Sequence, residues 1–368
     1  MIKVLSIFGT RPEAIKMAPL VLELQKREVI QSIVCVTAQH RQMLDQVLNF
    51  FNITPDYDLN IMQQGQTLSG ITTRALIGIE EVLQKEKPDI VLVHGDTTTA
   101  FAGALGAFYN QIDIGHVEAG LRTGNKYSPF PEEINRVMID KITDLYFAPT
   151  NKSKENLQKE NINMDNVYVT GNTAIDALKY TVSENYSNEV FDWVGDNRMI
   201  LLTAHRRENL GDPMRHIFKA IDRITKEFED IKVVYPIHMN PRVREVANEI
   251  LDGNNKVKLI EPLDVIDFHN FINKSYLIMT DSGGVQEEAP SLGKPVLVLR
   301  DTTERPEGVE AGTLKLTGTD ENTIYEMLKE LLTNKEKYDE MSKASNPYGD
   351  GHTSERIADI IIKKYLNK

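Results

Sequence analysis

The sequence predicts an α/β fold of two Rossmann-like, doubly wound domains, each built on a parallel sheet. Three observations support this class. Short apolar runs alternate with longer segments of helical periodicity along the chain. Residues 276–307 hold an apolar run, a Gly-Gly turn, a helical segment and a second apolar run, which is a βαβ pattern. The 368 residues are also enough for two hydrophobic cores.

The first predicted domain spans residues 1–170. Its predicted strands are residues 2–8, 33–37, 90–94, 112–117, 145–148 and 167–170, and its predicted helices are residues 14–26, 42–50, 69–86, 98–109 and 132–143. Pro12 suits a first helical turn, because its missing N–H would have no partner there. This alternation predicts a doubly wound domain.

The second predicted domain spans residues 171–352, with the hinge near Gly171. A polar segment, residues 183–197, interrupts the alternation before it resumes. The predicted strands are residues 199–203, 231–236, 257–260, 277–279 and 295–299, and the predicted helices are residues 213–228, 241–251 and 264–273 with one more around Glu287 and Glu288. The C-terminal helix, residues 353–368, is expected to pack back on the first domain.

Composition narrows the class of partner. The formal net charge of −12 disfavours nucleic acids and anionic membranes. The single cysteine, Cys35, lies in an apolar run, so we expect a buried, inert thiol and a reducing compartment. No apolar stretch approaches the length that a bilayer requires. We therefore expect a soluble, cytoplasmic protein without a nucleic-acid or membrane partner.

Neither a cofactor nor a metal is expected. The first strand is not followed by G-x-G-x-x-G, and the chain has no G-x-x-x-x-G-K-[ST] motif, so nicotinamide binding and P-loop chemistry are disfavoured. His94 with Asp96, and His116 with Glu118, have the side chains of metal ligands but not a diagnostic spacing. We expect both histidines to form hydrogen bonds within the core instead.

A phosphate site is predicted where the Gly-Gly turn opens a helix. Gly283 and Gly284 let a ligand approach the backbone, and the free N–H groups of the helix end attract anions. A plain turn with glycine chosen for packing explains the pair equally well. The helix end contributes only about 0.3–2 kcal/mol, so further cations are needed. Arg305 and His205 are candidates, whereas Arg206 and Arg207 fit a solvated charge run equally well.

Three carboxylates follow predicted strands of the first domain. Asp96, Glu118 and Glu132 are expected to meet at one edge of a parallel sheet, where neighbouring carboxylates supply an acid and a base. Asp96 also fits an N-cap, and Glu132 also fits the first turn of a helix. Glu118 has no such structural explanation, so it is the strongest catalytic candidate.

Six motifs together carry a family resemblance along the whole chain. They are FGTRPEAIKMAPL, HGDTTTA, HVEAGLRT, PEEINR, TAHRREN and DSGGVQEEAPSLGKPVLVLRDTTERPE. In this order they resemble bacterial non-hydrolysing UDP-N-acetylglucosamine 2-epimerases. The resemblance implies a GT-B fold with two domains facing an interdomain cleft, a homodimer, and reversible conversion of UDP-N-acetylglucosamine (UDP-GlcNAc) to UDP-N-acetylmannosamine (UDP-ManNAc).

The resemblance also implies roles for individual residues. The implied catalytic residues are Asp96, Glu118, Glu132 and His205. The implied substrate-binding residues are Arg11, Lys16, Phe268 against the uracil, Ser282, Gly283 and Gly284 at the diphosphate, Glu288 at the ribose, and Arg305. The implied regulatory site, for UDP-GlcNAc itself, contains Gln39, His40, Gln42 and His238. Gly65 stands where activated members can carry an arginine.

The expected reaction is elimination of UDP to a 2-acetamidoglucal followed by re-addition, because C2 of the sugar has no ring carbonyl beside it. Glu118 is the expected base, and Asp96 and Glu132 are expected to protonate the intermediate. The product would supply a cell-envelope polysaccharide such as capsule or teichoic acid. A hydrolysing 2-epimerase, a GT-B glycosyltransferase that uses a UDP-sugar, and a non-catalytic UDP-sugar sensor remain alternatives.

Overall fold

The structure, a computed structural model, describes residues 1–38, 41–63 and 65–366. The chain forms two compact units. The first contains Met1–Ala177 and the C-terminal segment that begins at Tyr348, and the second contains Leu178–Pro347. Among the described residues, no helix is both long enough and apolar enough to cross a membrane.

The first unit contains a parallel sheet of seven strands. The strands are β1 (Ile2–Phe8), β2 (Ile30–Val36), β3 (Tyr57–Asp58), β4 (Ile90–His94), β5 (Asp113–Val117), β6 (Leu145–Ala148) and β7 (Val167–Val169). Their order is β3-β2-β1-β4-β5-β6-β7. The helices are α1 (Arg11–Gln25), α2 (Arg41–Phe50), α3 (Leu68–Glu86), α4 (Thr98–Tyr109), α5 (Glu132–Ile142), α6 (Asn151–Lys159) and α7 (Thr173–Thr181).

The second unit contains a parallel sheet of six strands in the order β10-β9-β8-β11-β12-β13. The strands are β8 (Arg198–Thr203), β9 (Ile231–Pro236), β10 (Val257–Ile260), β11 (Leu277–Thr280), β12 (Val296–Val298) and β13 (Leu314–Leu316). The helices are α8 (Glu189–Val194), α9 (Asp212–Glu227), α10 (Pro241–Leu251), α11 (Val265–Lys274), α12 (Gly283–Ser291), α13 (Pro306–Glu310), α14 (Glu321–Thr333) and α15 (Lys335–Ser342). Helix α16 (Thr353–Leu366) returns to the first unit and packs against α1 and β1.

The central strands of both sheets are buried on both faces. Every residue of β4 and β11 is buried, which is why these strands read as continuous apolar runs rather than as alternating patterns. The strand order reverses between β1 and β4 in the first sheet and between β8 and β11 in the second. Ligands of doubly wound folds bind at the carboxyl ends of strands at such a point.

The predicted α/β class with two Rossmann-like units is confirmed, and most predicted elements are present within three residues of their bounds. Helix α1 begins at Arg11 rather than at Ala14, because Thr10 and Glu13 form a reciprocal capping box. The polar segment 183–197, which interrupts the predicted alternation, contains the short helix α8. Asn188 caps that helix, and Val190 and Val194 are buried in the core of the second unit.

The start of α16 depends on a carboxylate from another helix. Asp176 in α7 accepts the backbone N–H of Thr353 at 3.2 Å and that of Ser354 at 2.7 Å. The first N–H groups of a helix have no partner within the helix. Asp176 therefore supplies the cap that the local sequence of α16 would otherwise have to provide.

Replacing Asp176 with Ala should lower the free energy of unfolding by about 1–3 kcal/mol, because two buried N–H groups lose their acceptor. Urea denaturation followed by circular dichroism measures this loss. The matched control is Asp359→Ala on α16, the helix that Asp176 caps, where the exposed Asp359 pairs with Arg27 at 3.2 Å. That change should cost about 1 kcal/mol or less. Equal losses from the two variants would contradict the capping role of Asp176.

Candidate active site

A buried glutamate joins the loops that follow β1 and β4. Glu13, in the first turn of α1, accepts the N–H groups of Gly9 at 3.1 Å and Thr10 at 2.8 Å with one oxygen. Its other oxygen accepts the hydroxyl of Thr97 at 2.6 Å. Burial raises the pKa of Glu13, and these donors oppose that rise. Glu13 was not predicted from the sequence as a site residue, although the T-x-x-E capping pattern was a signal for it.

Glu118 lies directly after β5 in a strained and buried position. Its φ of +69° is in the left-handed region, which costs a residue other than glycine about 1–3 kcal/mol. Its Oε1 accepts hydrogen bonds from the ammonium of Lys16 at 2.5 Å and from the side-chain amide of Asn172 at 3.1 Å. A Cβ added at Gly95 would lie 3.2 Å from Oε2, so Glu118 reaches across to the loop after β4.

Asp96 lies in that loop, next to Gly95. Its carboxylate pairs with Arg136 of α5, and its backbone oxygen accepts the amide of Asn135 at 2.9 Å. Burial raises the pKa of Asp96, the charge of Glu118 raises it further, and Arg136 opposes both effects. The structure thus brings Asp96 and Glu118 into electrostatic contact, as the sequence analysis expected for the strand ends.

Asp96 was also interpreted as a helix N-cap and Glu132 as a residue that favours a first helical turn, and these two interpretations have different outcomes. The N-cap of α4 is Thr97, which accepts the N–H of Ala100 at 3.0 Å, so the N-cap explanation for Asp96 is wrong. Glu132 is the first residue of α5, one turn before Arg136. Its position therefore agrees with a preference for a helix start, and it stands beside the residue that pairs with Asp96.

The two histidines at these strand ends differ. The ring of His116 contacts Asp140 at 2.6 Å and the backbone oxygen of Gly95 at 2.7 Å, which confirms the expected core hydrogen bonds. The same expectation is wrong for Nε2 of His94, which is buried without a hydrogen-bond partner among the described residues. Burial lowers the pKa of His94 to about 3, so its ring is neutral near pH 7. Within the described part of the chain, no group of three possible ligands could hold a metal ion.

In the second unit, a buried aspartate joins the loops that follow β8 and β11. One oxygen of Asp281 accepts the N–H groups of His205 and Arg206, both at 2.8 Å, and the side-chain amide of Asn209 at 3.1 Å. Asp281 is fully buried. Because a buried carboxylate needs such donors, these contacts fix the T-A-H-R-R-E-N loop against the glycine loop. Asp281 was not predicted from the sequence as a site residue.

His205 lies between a carboxylate and a second imidazole. Its Nδ1 is 3.5 Å from Asp281, which is long for a hydrogen bond, and its ring stacks on His238 with 5.3 Å between centroids. Burial lowers the pKa of His205, and the charge of Asp281 opposes this effect. The residue predicted for catalysis therefore contacts a residue predicted for regulation.

The glycine loop contains two glycines with different surroundings. Ser282 is the residue before α12, and its N–H donates to the hydroxyl of Thr280 at 2.9 Å. A Cβ at Gly283 would lie 2.9 Å from Oε1 of Glu304, so that side chain would have to shift. A Cβ at Gly284 would meet only Glu288, at 3.8 Å, and Gly284 is exposed. The protein's own packing thus does not require the second glycine.

The charged residues around this loop are largely paired. The guanidinium of Arg206 donates a hydrogen bond to Glu304 at 2.8 Å, so the interpretation of Arg206 as part of a solvated charge run is wrong. Arg207 is exposed, which agrees with that interpretation. Arg305 pairs with Glu287 and was not predicted to do so. Burial alone would raise the pKa of Glu304, but its arginine partners lower it to about 2.

The remaining predicted residues lie on several elements. Glu288 is 3.5 Å from the buried His269, and Phe268 packs half-buried against the core of the second unit together with Leu263. Arg11 is the first residue of α1 and is half-buried. Gln42 is exposed on α2 and Gly65 is exposed, whereas Gln39 and His40 lie outside the described residues. Cys35 is buried, and burial raises its pKa to about 12, which confirms the expected inert thiol.

Comparison with known proteins gives one consistent result. The sequence profile of the family described as "UDP-N-acetylglucosamine 2-epimerase" matches residues 22–362. The chain is similar to the UDP-N-acetylglucosamine 2-epimerase of Bacillus subtilis (strain 168), with 67% identity over 364 residues that cover 99% of this chain and 96% of the relative.

Solved structures agree with this match. A crystal structure of a UDP-N-acetylglucosamine 2-epimerase has a TM-score of 0.94 at 64% identity, covering 100% of this chain and 97% of that chain. The UDP-GlcNAc 2-epimerase from Neisseria meningitidis bound to UDP-GlcNAc has a TM-score of 0.86 at 50% identity, covering 98% of this chain and 100% of that chain. These likenesses confirm the predicted GT-B class.

Replacing His94 with Gln should remove a pH-dependent part of the stability. The pKa of His94 falls from 6.5 to about 3 on folding, so the unfolded chain binds this proton more readily than the folded one. The corresponding stability is fully present above about pH 6.5 and is lost as the pH falls toward 3. At pH 5 the wild type should have lost about 2 kcal/mol relative to pH 7.5 on this account, and His94→Gln should not lose it.

Urea denaturation at the two pH values measures this difference. The control is His352→Gln, the same replacement at an exposed position, which should keep the wild-type loss. A loss of unchanged size in His94→Gln would contradict the assignment of this pH dependence to His94.

Proposed function

The chain belongs to the UDP-N-acetylglucosamine 2-epimerase family, as its motifs predict, and from that premise we propose that it is a non-hydrolysing isomerase that interconverts UDP-GlcNAc and UDP-ManNAc. The observation that carries this proposal is the pair of carboxylates, Glu118 and Asp96, at the ends of two neighbouring strands, each paired with a cation. The related enzyme from N. meningitidis binds UDP-GlcNAc, which supports the substrate.

The proposed reaction is an elimination followed by an addition. A base takes the proton from C2, the electron pair of that C–H bond forms a C1–C2 double bond, and the C1–O bond breaks with its electron pair leaving on UDP. The product of this half-reaction is a 2-acetamidoglucal. UDP then adds back to C1 while an acid delivers a proton to the opposite face of C2. Two faces require two proton-transfer positions, which explains the use of more than one carboxylate.

Glu118 is the proposed base. The ammonium of Lys16 at 2.5 Å favours the carboxylate form over the protonated form. The position of Glu118 in the left-handed region also supports a functional role, because backbone strain of this kind clusters at active sites.

Asp96 and Glu132 are the proposed acids that protonate the intermediate. The raised pKa of Asp96, caused mainly by burial, supports this role because it extends the protonated form toward neutral pH. Acid-base catalysis contributes about 10²–10⁴-fold per group, or roughly 3–5 kcal/mol. The rest of the acceleration must come from cations that stabilise the departing diphosphate.

UDP binding is assigned to the second unit. The N–H groups at the start of α12 and the exposed Gly284 support a diphosphate at this loop, since the protein's own packing does not explain Gly284. Phe268 is the proposed partner of the uracil and Glu288 that of the ribose. The proposed cations for phosphate and sugar are Arg11, Lys16, His205 and Arg305. We infer that binding substrate exchanges some ion pairs of these cations for contacts with phosphate.

Incubation of the protein with UDP-GlcNAc, without an acceptor or added cofactor, tests the reaction by NMR. We expect UDP-ManNAc to appear with no free sugar. Release of free N-acetylmannosamine with UDP would identify a hydrolysing enzyme instead. An unchanged substrate would contradict epimerisation, and an acceptor screen would then separate a glycosyltransferase from a non-catalytic sensor.

Replacing Glu118 with Gln should slow exchange of the C2 proton with deuterated solvent by about 10²–10⁴-fold, because the amide cannot take the proton. Mass spectrometry of the recovered UDP-sugar measures deuterium at C2. The control is Glu355→Gln, the same replacement at a half-exposed position on α16, which should exchange as the wild type does. Exchange at the wild-type rate in Glu118→Gln would remove Glu118 from the role of base.

Regulation by UDP-GlcNAc is a further part of the proposal. Gln39, His40, Gln42 and His238 are the proposed contacts, and the stacking of His238 on His205 supports a link between this site and the reaction. The reaction should therefore start slowly from pure UDP-ManNAc and accelerate when a trace of UDP-GlcNAc is added. Coupled assays of initial rates measure this effect, and equal rates would contradict regulation.

The wider context is also proposed. We expect a homodimer in the cytoplasm whose product enters cell-envelope polysaccharide, such as capsule or teichoic acid. Exposed apolar side chains on α3 and α4, namely Ile77, Phe108 and Tyr109, support burial of this face against a second copy.

A further inference from the structure

Asn172 joins three parts of the first unit. It lies between β7 and α7, and its side chain is buried. Its Oδ1 accepts the N–H of Ala174 at 2.9 Å, and its Nδ2 donates to Oε1 of Glu118 at 3.1 Å. Its backbone N–H donates to the oxygen of Tyr348 at 2.7 Å, where the chain re-enters the unit. The side chain is thus an acceptor for a helix start and a donor for a carboxylate.

We propose that Asn172 is a positioning residue that holds the carboxylate of Glu118 in its ionised form and in the orientation needed to take the C2 proton. This inference rests on the proposed function and goes beyond it, because Asn172 has no role in the reaction scheme above. Asn172 acts through Glu118 and is not assigned a contact with the substrate.

Lys16 and Asn172 both donate to Oε1 of Glu118, and the two side chains differ in conformational freedom. Lys16 is a point charge on a flexible four-carbon stem, so it supplies attraction with little control of direction. Asn172 is short, buried and anchored at its other end by the N–H of Ala174. The amide therefore defines where Oε1 lies, whereas the ammonium supplies most of the charge stabilisation.

Capping of α7 does not explain an amide at this position. The N–H of Ala174 needs only an acceptor, and Ser, Thr or Asp provides one equally well. Only the Nδ2 end distinguishes Asn from those residues, and that end meets Glu118. A buried amide pointed at a buried carboxylate is what stabilisation of the anion requires, because hydrogen bonds to the charged form favour that form.

Other charged and titratable groups also act on Glu118. They are Lys16 from α1, His94 from β4 and Asp96 from the loop after β4. His116 of β5 acts on His94, and Arg136 of α5 pairs with Asp96. None of them changes in a variant of Asn172. A shift in the pH profile of such a variant therefore reports the contact between residues 172 and 118.

The decisive variant is Asn172→Asp, because it has the same shape and keeps the acceptor for Ala174. It replaces the donor with a second carboxylate, which disfavours ionisation of Glu118. We expect kcat to fall by tenfold or more at pH 7, and the acidic limb of the kcat profile to move up by about one pH unit or more. Asn172→Ser keeps an acceptor and adds no charge, so it should lower kcat with a smaller shift of that limb.

The matched control is Asn188→Asp. Asn188 caps α8 through the N–H of Val190 at 3.0 Å, two residues on, as Asn172 does for Ala174. This variant should retain the wild-type kcat and pH profile. Thermal denaturation of all variants gives the folded fraction, so that rates are compared per folded molecule.

A second readout does not depend on the reaction. In protein labelled with ¹³C at the glutamate carboxyl carbon, the signal of Glu118 is identified by its absence in Glu118→Gln. Its titration midpoint should move to higher pH in Asn172→Asp. If the wild type failed to epimerise UDP-GlcNAc, the proposed function would be wrong, and this titration would still decide the contact. A wild-type midpoint and a wild-type kcat profile in Asn172→Asp would overturn the positioning role.

Discussion

Both units depend on the same physical solution, a buried carboxylate that ties together two loops at the carboxyl edge of a parallel sheet. In the first unit Glu13 joins the loops after β1 and β4, and in the second Asp281 joins the loops after β8 and β11. These are the strand pairs at which the order of each sheet reverses. Burying a carboxylate is costly unless hydrogen-bond donors surround it. Because the donors come from both loops, the carboxylate holds the two loops together. Of the proposed reacting groups, Asp96 stands on the fixed loop after β4 and His205 on the fixed loop after β8, whereas Glu118 follows β5 and reaches toward the loop after β4.

The alternation of strands and helices was predictable, because strands that are buried on both faces of a parallel sheet consist of continuous apolar runs. The carboxylates at the strand ends were predictable for a related reason, since parallel strands share one edge. Asp281 and Asn172 were not found, because the partners that reveal their roles, His205 and Glu118, lie tens of residues away and follow no sequence period. Glu13 had a local signal in its capping box, but its link to Thr97 spans 84 residues. The two histidines show the same limit. His94 and His116 look alike in sequence, yet both ring nitrogens of His116 have partners, in Asp140 and Gly95, whereas Nε2 of His94 has none among the described residues.

The charged residues near the candidate site differ in whether they already have a carboxylate partner. Lys16, Arg136 and Arg305 already have carboxylate partners, so the negative charge of a substrate would compete with the protein's own anions. In a chain of net negative charge, these cations are held at the candidate site by the protein's own carboxylates. His205 differs, because burial lowers the pKa of its ring while the charge of Asp281 opposes that change.

The return of the last helix to the first unit has a consequence for how the protein is made. Helix α16 packs on α1 and β1, and Asp176 caps it, yet some 170 residues of the second unit separate Asp176 from Thr353. During translation, the surface of α1 that α16 covers stays open until the ribosome has synthesised the whole second unit. That surface therefore stays uncovered through the synthesis of the second unit and is buried only when the C-terminal segment emerges.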